Sequence, residues 1–343
     1  MTADFLARLN TLAAGRTLPP HQYLAELTER CITALEREDA TYRPYAAATG
    51  KPGGLLDFTA ARLPLVIVPD IHARAYFLAN ILAFKPQDGF FPNERRTILQ
   101  ALQEDAVRVI CVGDILHSEL RGSQRWKAAL EEWGYGNPCG QAMEREMAEG
   151  LSALCLLMEC KCVFPAAFHC LKGNHENIMN AISGGDFPFR KFADEGRMTR
   201  RFMEEKYGRD VLAQISQFER NLPLAAVFAN GMASHAEPRQ KFTRAELIDG
   251  MGDERVVSAL TWTRNGDAPL GSVAGTLNAL TGRMDWERLT YFGGHRPVSG
   301  RYALRQDGLF VQLHNPMQQN IALVHPDRPF NPDSDIVGVQ EKL

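Results

Sequence analysis

Two residues of types that can bind metal ions follow an apolar stretch near the middle of this 343-residue sequence. The segment Leu171-Lys172-Gly173-Asn174-His175-Glu176 comes directly after residues 166–170, whose apolar character predicts a buried strand. Because Gly173 lets the chain bend sharply, we expect Asn174 and His175 at the carboxyl end of that strand, where open α/β sheets place their binding sites. Residues 176–182 then predict a helix. An isolated Asn-His pair is also typical of a helix cap beside a surface histidine.

Four more predicted strands end in residues of the same kind. The apolar stretches are residues 63–68, 107–112, 232–234 and 289–292. The pair Asn230-Gly231 before the third stretch predicts a tight hairpin turn. The residues that follow the stretches are Asp70 and His72, Asp114, His235, and His295. Because residues i and i+2 of an extended segment point the same way, Asp70 and His72 can converge on one ion.

Five strands that each deliver a ligand predict a metal site. Taken singly, a carboxylate after a strand is often a helix cap, and a histidine is often a core residue. Carboxylate, imidazole and amide oxygen together suit Mn, Fe or Zn rather than a site lined by thiolates. Cys160 and Cys162 have no second close cysteine pair to complete another metal site, so we expect the seven cysteines to be reduced and mostly buried.

Composition and charge disfavour several classes of protein. The formal net charge of −3 and the pI near 6.3 provide no basic field for a nucleic acid or an anionic membrane. No apolar run approaches the roughly 18 residues of a spanning helix, and the N-terminus lacks the charged-then-apolar order of a signal peptide. We therefore expect a cytoplasmic protein with neither a nucleic acid nor a membrane as partner.

The pattern of apolar residues divides the chain into three parts. Residues 1–60 predict a helical extension, interrupted at Pro19-Pro20. Residues 61–330 predict an α/β domain, completed by strands at 309–313 and 321–325, and residues 331–343 predict a C-terminal tail. Within the domain, residues 115–165 predict a helical insertion that covers one edge of the site as a lid.

The order of these motifs resembles that of the calcineurin-like metallophosphoesterases, nearest to the phosphoprotein phosphatase branch of bacterial type. The family pattern is Asp-x-His, Gly-Asp-x-x-Asp/His, Gly-Asn-His-Glu, a lone His after a hairpin, and Gly-His. In this sequence the pattern stands as Asp70-Ile71-His72, Gly113-Asp114-Ile115-Leu116-His117, Gly173-Asn174-His175-Glu176, Ser234-His235 and Gly294-His295. The N-terminal residues lie outside the match.

The resemblance implies a four-layer α-β-β-α sandwich of two mixed sheets, with a two-metal site at the strand ends. Carried over by position, Asp70 and His72 would bind the first metal, and Asp114 would bridge to the second. The other ligands of the second metal would be Asn174, His235 and His295. The two ions would lower the pKa of a shared water that attacks the phosphorus, and His175 would be the general acid for the leaving group.

The residues expected beside the acid histidine depart from the family pattern. His117 stands where the phosphatases have an aspartate that orients this histidine, and Arg121 arrives three residues later than the family arginine. His117 and Glu119 are therefore the two candidate partners of His175, and Arg121 is a candidate for binding phosphate.

Two further segments bear on the same site. Trp262-Thr263-Arg264 is similar to the Trp-x-Arg stretch that supplies a phosphate-binding arginine in bacterial members, although an arginine facing water at a helix end is the alternative. Pro297 stands where many phosphodiesterases place another histidine ligand. Its presence favours the phosphatase branch, with the first metal completed by water.

The resulting hypothesis is a hydrolase of phosphoric esters that uses two metal ions. We expect a phosphomonoesterase that acts on phosphoprotein or on a small phosphorylated molecule. A nucleotide or dinucleoside-polyphosphate hydrolase is the first alternative, because the same ions would serve it. A scaffold that keeps the fold without catalysis is the second, although such scaffolds tend to lose the metal ligands that are present here.

Overall fold

The computed structural model describes residues 3–87, 89–91, 96–285 and 288–339. Its strands are β1 (Leu55–Phe58), β2 (Leu65–Val68), β3 (Arg108–Cys111), β4 (Phe168–Cys170), β5 (Ala225–Phe228), β6 (Gly231–Ser234), β7 (Thr290–Gly293), β8 (Ala303–Arg305), β9 (Phe310–Gln312), β10 (Asn320–Val324) and β11 (Ile336–Gly338). Its helices are α1 (Ala3–Ala14), α2 (His21–Glu36), α3 (Ala75–Ala83), α4 (Ile98–Gln103), α5 (Ser123–Gly134), α6 (Gln141–Val163), α7 (Glu195–Lys206), α8 (Gly208–Arg220), α9 (Arg244–Asp249), α10 (Glu254–Thr261), α11 (Ser272–Thr281) and α12 (Pro332–Asp335).

The strands form two mixed sheets. One has the order β11-β10-β2-β3-β4, in which β2, β3 and β4 are parallel and β10 and β11 run antiparallel to their neighbours. The other has the order β1-β5-β6-β7-β9-β8, in which β6, β7 and β9 are parallel. The carboxyl ends of parallel strands meet at one edge of a sheet, so the segments after β2, β3 and β4 lie side by side.

Alternating side chains of the strands supply separate cores on the two faces of each sheet. Leu65 and Ile67 of β2 pack between the sheets, whereas Val66 and Val68 pack under the outer helices. This is the burial expected of a strand that is apolar on both faces. The outer face of the six-stranded sheet is covered by α9, α10 and α11, and that of the five-stranded sheet by helices from the first two thirds of the chain. The predicted four-layer sandwich is therefore confirmed.

The predicted boundaries of the three parts do not coincide with the sheets. Strand β1, within residues 1–60, pairs with β5, and β11, within residues 331–343, pairs with β10. The division of the chain into domains stays a prediction, but both flanking parts contribute strands. The lid expected at residues 115–165 also stays a prediction, although most of α6, within that range, is buried against α1, α2 and α3.

A group of buried charged side chains connects the end of helix α2 to helix α6 and strand β4. Glu38, just after α2, accepts a hydrogen bond from Lys161 at 2.5 Å and forms an ion pair with Arg43. His169 of β4 lies 3.1 Å from the same carboxylate. Burial acts to raise the pKa of Glu38, but Lys161, His169 and Arg43 together hold it well below its usual range. A pair or triad of this kind requires every member, since a lone buried charge is costly.

Two expectations about the chain as a whole can be compared with this structure. Five of the seven cysteines are buried and all are free thiols, as predicted. No helix in the described ranges is long and apolar enough to cross a lipid bilayer.

Candidate metal centre and active site

The loops after β2 and β3 are joined by backbone hydrogen bonds, which bring Asp70, His72 and Asp114 together. The His72 amide donates to the carbonyl of Asp114 at 2.7 Å, and the Ala73 amide donates to that of Ile115 at 2.8 Å. The buried guanidinium of Arg74 donates to the carbonyl of Asp70 at 2.6 Å. The first loop is thus fixed by main-chain contacts, which leaves its side chains free to point into the site.

The carboxylate of Glu176 joins the second loop to the third. It is buried and accepts hydrogen bonds from the backbone amides of Asp114, Ile115 and Gly173, at 2.8, 2.8 and 2.7 Å. The helix predicted at residues 176–182 is wrong, because this segment forms turns. Three hydrogen bonds to backbone amides place Glu176 under the loops rather than at a helix start.

Glycine is required where these two loops meet. A Cβ on Gly173 would lie 2.3 Å from Oδ1 of Asp114, and a Cβ on Gly113 would lie 2.5 Å from the amide nitrogen of Gly173. Gly113 also has a φ of +110°, which side chains rarely adopt.

Three of the predicted ligands have left-handed backbone conformations. The φ angles are +46° at His72, +52° at Asp114 and +62° at His295. For residues other than glycine this conformation costs about 1–2 kcal/mol each, and such strain concentrates at functional sites. Hydrogen bonds to the surrounding loops hold the three residues in this conformation despite its cost in free energy.

The first cluster of ligand atoms surrounds Nε2 of His72. This atom lies 3.7 Å from Oδ2 of Asp70 and 3.7 Å from Oδ2 of Asp114. The other ring nitrogen, Nδ1, donates to the carbonyl of His117 at 2.9 Å, so Nε2 carries the lone pair. Two ligands bound to one ion at about 2.1 Å stand about 3.4 Å apart at the tetrahedral angle. The three side chains therefore fit one divalent ion.

The second cluster surrounds Oδ1 of Asn174. This oxygen lies 2.9 Å from Nε2 of His235 and 2.9 Å from Nδ1 of His295. Nδ1 of His235 donates to the carbonyl of Val112 at 3.0 Å, which again leaves Nε2 with its lone pair. Nε2 of His235 is also 3.5 Å from Oδ1 of Asp114. Asp114 thus offers one oxygen to each cluster, and all six predicted ligands lie together.

The electrostatics of the site are those of carboxylates buried next to imidazoles. Burial raises the pKa of Asp114 to about 7, although His235 and His72 act to lower it. Burial would lower the pKa of His72, but Glu119, Asp70 and Asp114 outweigh it and raise that pKa to about 9. The raised pKa of His72 reflects the negative field of the surrounding carboxylates, which a bound divalent cation would balance.

His175 lies at the edge of both clusters. Its amide donates to Oδ1 of Asp114 at 3.0 Å, and its Nε2 lies 3.8 Å from Oδ2 of the same residue. The ring of Phe189 packs on it with a centroid distance of 3.6 Å. Burial lowers the pKa of His175 well below its usual value, and the nearby His72 and His117 lower it further.

Neither residue predicted to orient His175 is bonded to it. The His117 ring is 5.4 Å away between centroids, and its Nε2 is bonded to the Thr199 hydroxyl at 3.1 Å. The ring of His117 is therefore held by Thr199 and its carbonyl by His72, and its role in orienting His175 stays a prediction. Glu119 instead contacts His314 and Lys191.

The two predicted arginines lie in different surroundings. The guanidinium of Arg121 forms an ion pair with Glu149 and donates to the carbonyl of Ala73 at 3.3 Å. These contacts use donors of the guanidinium, and a phosphate-binding role for Arg121 stays a prediction. Arg264 is exposed just beyond α10, and within the described ranges its guanidinium has no hydrogen-bond or ion-pair partner.

Two residues of the site were not predicted in their observed roles. His314 is fully buried beside Asp70 and His72, with Nδ1 3.7 Å from Oδ2 of Asp70. The sequence did contain a signal, because His314 directly follows the predicted strand at 309–313, as the other ligands follow theirs. Its partner Glu119 was considered only as a partner of His175.

Comparison with known proteins gives a likeness in structure only. No family model and no curated protein matches the sequence. A protein serine/threonine phosphatase from Saccharomyces cerevisiae, described as similar to human phosphatase PP5, superposes with a TM-score of 0.52 at 14% identity, over 98% of this chain and 95% of that one.

Two other solved structures are less similar. A putative diadenosine tetraphosphatase gives a TM-score of 0.41 at 14% identity, over 83% of this chain and 96% of that one. A cold-active protein tyrosine phosphatase gives 0.46 at 12% identity, over 84% and 81%. At 14% identity the likeness to the yeast phosphatase concerns the fold. Together with the two packed mixed sheets, it shows that this chain shares the fold of that phosphatase.

Proposed function

We propose that the protein is a phosphomonoesterase that uses two metal ions and acts on phosphoprotein or on a small phosphorylated molecule. The observation that supports this most is the position of Asp114, whose two carboxylate oxygens face two separate clusters of ligand atoms. A carboxylate shared in this way is what a pair of neighbouring ions requires. We also propose a cytoplasmic location.

Six side chains would hold the ions. Asp70, His72 and Asp114 would hold the first, and the second would be held by Asp114 again with Asn174, His235 and His295. Their nitrogen and oxygen donors suit Mn, Fe or Zn. When bound, two such ions polarise the phosphoryl oxygens and lower the pKa of water. The chain's own contribution is to fix the ligands through Glu176 and the joined backbone of the loops.

His175 is the residue that would donate a proton to the leaving oxygen. Burial favours its neutral form, which opposes this role in the free protein. A phosphate dianion brought next to the ring would raise its pKa, since a nearby negative charge favours imidazolium. Phe189, packed on the ring, would keep water away from this proton.

Arg264 is the proposed phosphate-binding arginine. The helix that precedes it, α10, is fixed next to the segment after His235 by a hydrogen bond from the Ala236 amide to the carbonyl of Leu260, at 2.8 Å. Its donors are available, in contrast to those of Arg121. Arg296, half-buried directly after His295, is the second candidate.

The test is a comparison of three substrates. Protein stripped of metal and reloaded with Mn would be given an aryl phosphomonoester, an aryl phosphodiester and a dinucleoside polyphosphate. We expect turnover of the monoester that depends on metal. Preference for the polyphosphate would replace the proposal by a nucleotide hydrolase, and bound metal without turnover of any of the three would contradict it in favour of a scaffold.

Two variants show whether the turnover belongs to this site. Asp114→Asn should abolish it, because the shared carboxylate is lost. Asp105→Asn is the matched control, since Asp105 is an exposed carboxylate paired with Arg108 away from the site. Equal activity in the two variants would mean that a contaminant is being measured.

A further inference from the structure

His314 and Glu119 form a buried pair at the edge of the first ligand cluster. The Nε2 atom of His314 donates to Oε2 of Glu119 at 2.8 Å. His314 follows β9, in the sheet opposite to the one that carries Asp70 and His72. Its ring centroid is 5.0 Å from that of His72.

The bond to Glu119 decides which nitrogen of His314 carries the lone pair. A carboxylate accepts, so Nε2 must hold the hydrogen, and Nδ1 is left as an acceptor when the ring is neutral. Nδ1 is buried, has no hydrogen-bond partner among the described residues, and lies 3.7 Å from Oδ2 of Asp70. That separation is too long for a hydrogen bond.

Two buried acceptor atoms, Nδ1 of His314 and Oδ2 of Asp70, therefore lie close together without a hydrogen between them. His72 adds its own Nε2, which likewise has no hydrogen-bond partner in the described ranges and lies 3.7 Å from the same oxygen of Asp70. Buried acceptors turned toward one another are unfavourable unless a cation lies between them. The spacing again matches that of two ligands on one ion, about 3.4 Å.

We infer that His314 is a fourth protein ligand of the first metal and that Glu119 is its positioning residue. This inference rests on the metal site of the proposed function. It replaces the water expected to complete the first metal, and it explains how the chain can have Pro297 where related enzymes have another histidine. An imidazole ligand backed by a carboxylate is fixed in orientation and made more basic, which strengthens its bond to the metal.

Glu119 also connects this ligand to the loop that contains Phe189 and Lys191. Its Oε1 accepts a hydrogen bond from Lys191 at 2.8 Å, and Lys191 lies two residues after Phe189, which covers His175. The same carboxylate oxygen is 3.7 Å from Nε2 of His72. The side chain of Glu119 therefore lies next to His314, to His72 of the first cluster and to Lys191 of this loop.

The test measures metal binding rather than activity. Metal-free protein is titrated with Co²⁺ and followed by calorimetry and by visible absorption, which reports the ligands of the ion. Wild type should bind two equivalents. His314→Ala should keep the equivalent held by Asn174, His235 and His295 and bind the other at least about tenfold more weakly, with a changed absorption spectrum.

A second variant keeps the inference testable if His314→Ala fails to fold. Glu119→Gln removes the charge behind the imidazole and should weaken the same equivalent about 10–100-fold, the usual effect of losing such a partner. His325→Ala, a half-buried histidine beyond β10 at the opposite edge of the sheet, is the matched control and should bind as wild type.

The outcomes separate this inference from the proposed function. Wild-type affinity and spectrum in both His314→Ala and Glu119→Gln would overturn the inference, whatever the enzyme hydrolyses. Two tightly bound equivalents without turnover of any phosphoester would overturn only the proposed function. Absence of Co²⁺ binding in wild type would overturn both.

Discussion

Replacing Glu176 by glutamine should loosen the site without removing any metal ligand. The carboxylate accepts three backbone hydrogen bonds, two of them at Oε2, from Asp114 and Gly173, and one at Oε1, from Ile115. Glutamine can place its oxygen at the Oε2 position and keep two bonds. The side-chain NH2 group of the glutamine then faces the backbone N–H of Ile115. Two buried donors would therefore point at each other without an acceptor.

The magnitude follows from these contacts. A hydrogen bond to a charged group contributes about 1.5–3 kcal/mol, and a buried donor left without an acceptor costs about 1–3 kcal/mol. One bond is lost and two change from charged to neutral, so we expect a loss of roughly 2–4 kcal/mol in the free energy of unfolding. For a chain of this length that corresponds to a fall of roughly 3–6 °C in the melting temperature.

The assay is thermal unfolding of metal-free protein, together with Mn²⁺ affinity by calorimetry. Because the bonded amides belong to residues that flank the ligands, affinity should fall by about tenfold or more. Asp335→Asn is the matched control: this buried carboxylate accepts from Arg328 and from the Asn331 amide away from the site, so it should lose stability but not metal affinity. An unchanged melting temperature in Glu176→Gln would refute the reasoning from hydrogen bonds. Unchanged affinity would refute the link to the metal site.

Three other predictions concern single side chains. His175→Ala should retain metal but lose about 10²–10⁴-fold in turnover of esters with poor leaving groups; an equal loss with an activated aryl phosphate would contradict the acid role. Gly294→Ala should displace Asp70, because its Cβ would lie 1.7 Å from Oδ1, and two tightly bound equivalents in this variant would argue against that position for Asp70. Burial raises the pKa of Glu219 to about 8, against an opposing effect of Lys172, so the fold binds a proton that the unfolded chain releases near pH 4.5. Stability should therefore fall as pH rises toward 8, by on the order of 2 kcal/mol above pH 6, and Glu219→Gln should flatten this slope in melting curves; an unchanged slope would contradict the shift.

The positions of the proposed metal ligands were predictable because each depends on local sequence. A strand that is buried on both faces gives a continuous apolar run, and the residue after it must lie at the sheet edge. Asp70, Asp114 and Asn174 follow three neighbouring parallel strands, so convergence follows from topology alone. His235 and His295 follow β6 and β7 in the same way.

The contacts that orient these ligands were not predictable, because they join distant segments. Glu176 was interpreted as the start of a helix, since sequence alone does not show that amides 61 and 62 residues earlier would need an acceptor. His117 was expected to orient His175 from its place in the motif, yet Thr199, 82 residues away, holds its ring. Long-range side-chain partners of this kind leave no periodic signal.

The buried position of α6 illustrates the same limit at the level of a whole helix. Its sequence contains the charged residues Glu146, Glu159 and Lys161. In the structure each is buried, with Glu146 bonded to Ser118 and Arg125, and Lys161 bonded to Glu38. Paired charges can be buried, but the pairing is visible only once the fold is known.

The most direct test of the central claim is the number and coupling of the ions that the chain binds. Metal-free protein, reloaded with Mn²⁺, would be measured by metal analysis and by electron paramagnetic resonance, with Asp114→Asn in parallel. The shared carboxylate predicts that wild type binds two equivalents and gives a spin-coupled signal. In Asp114→Asn, both this signal and the tight binding of the two ions should be lost. A single uncoupled ion in wild type, or two coupled ions in Asp114→Asn, would contradict the claim.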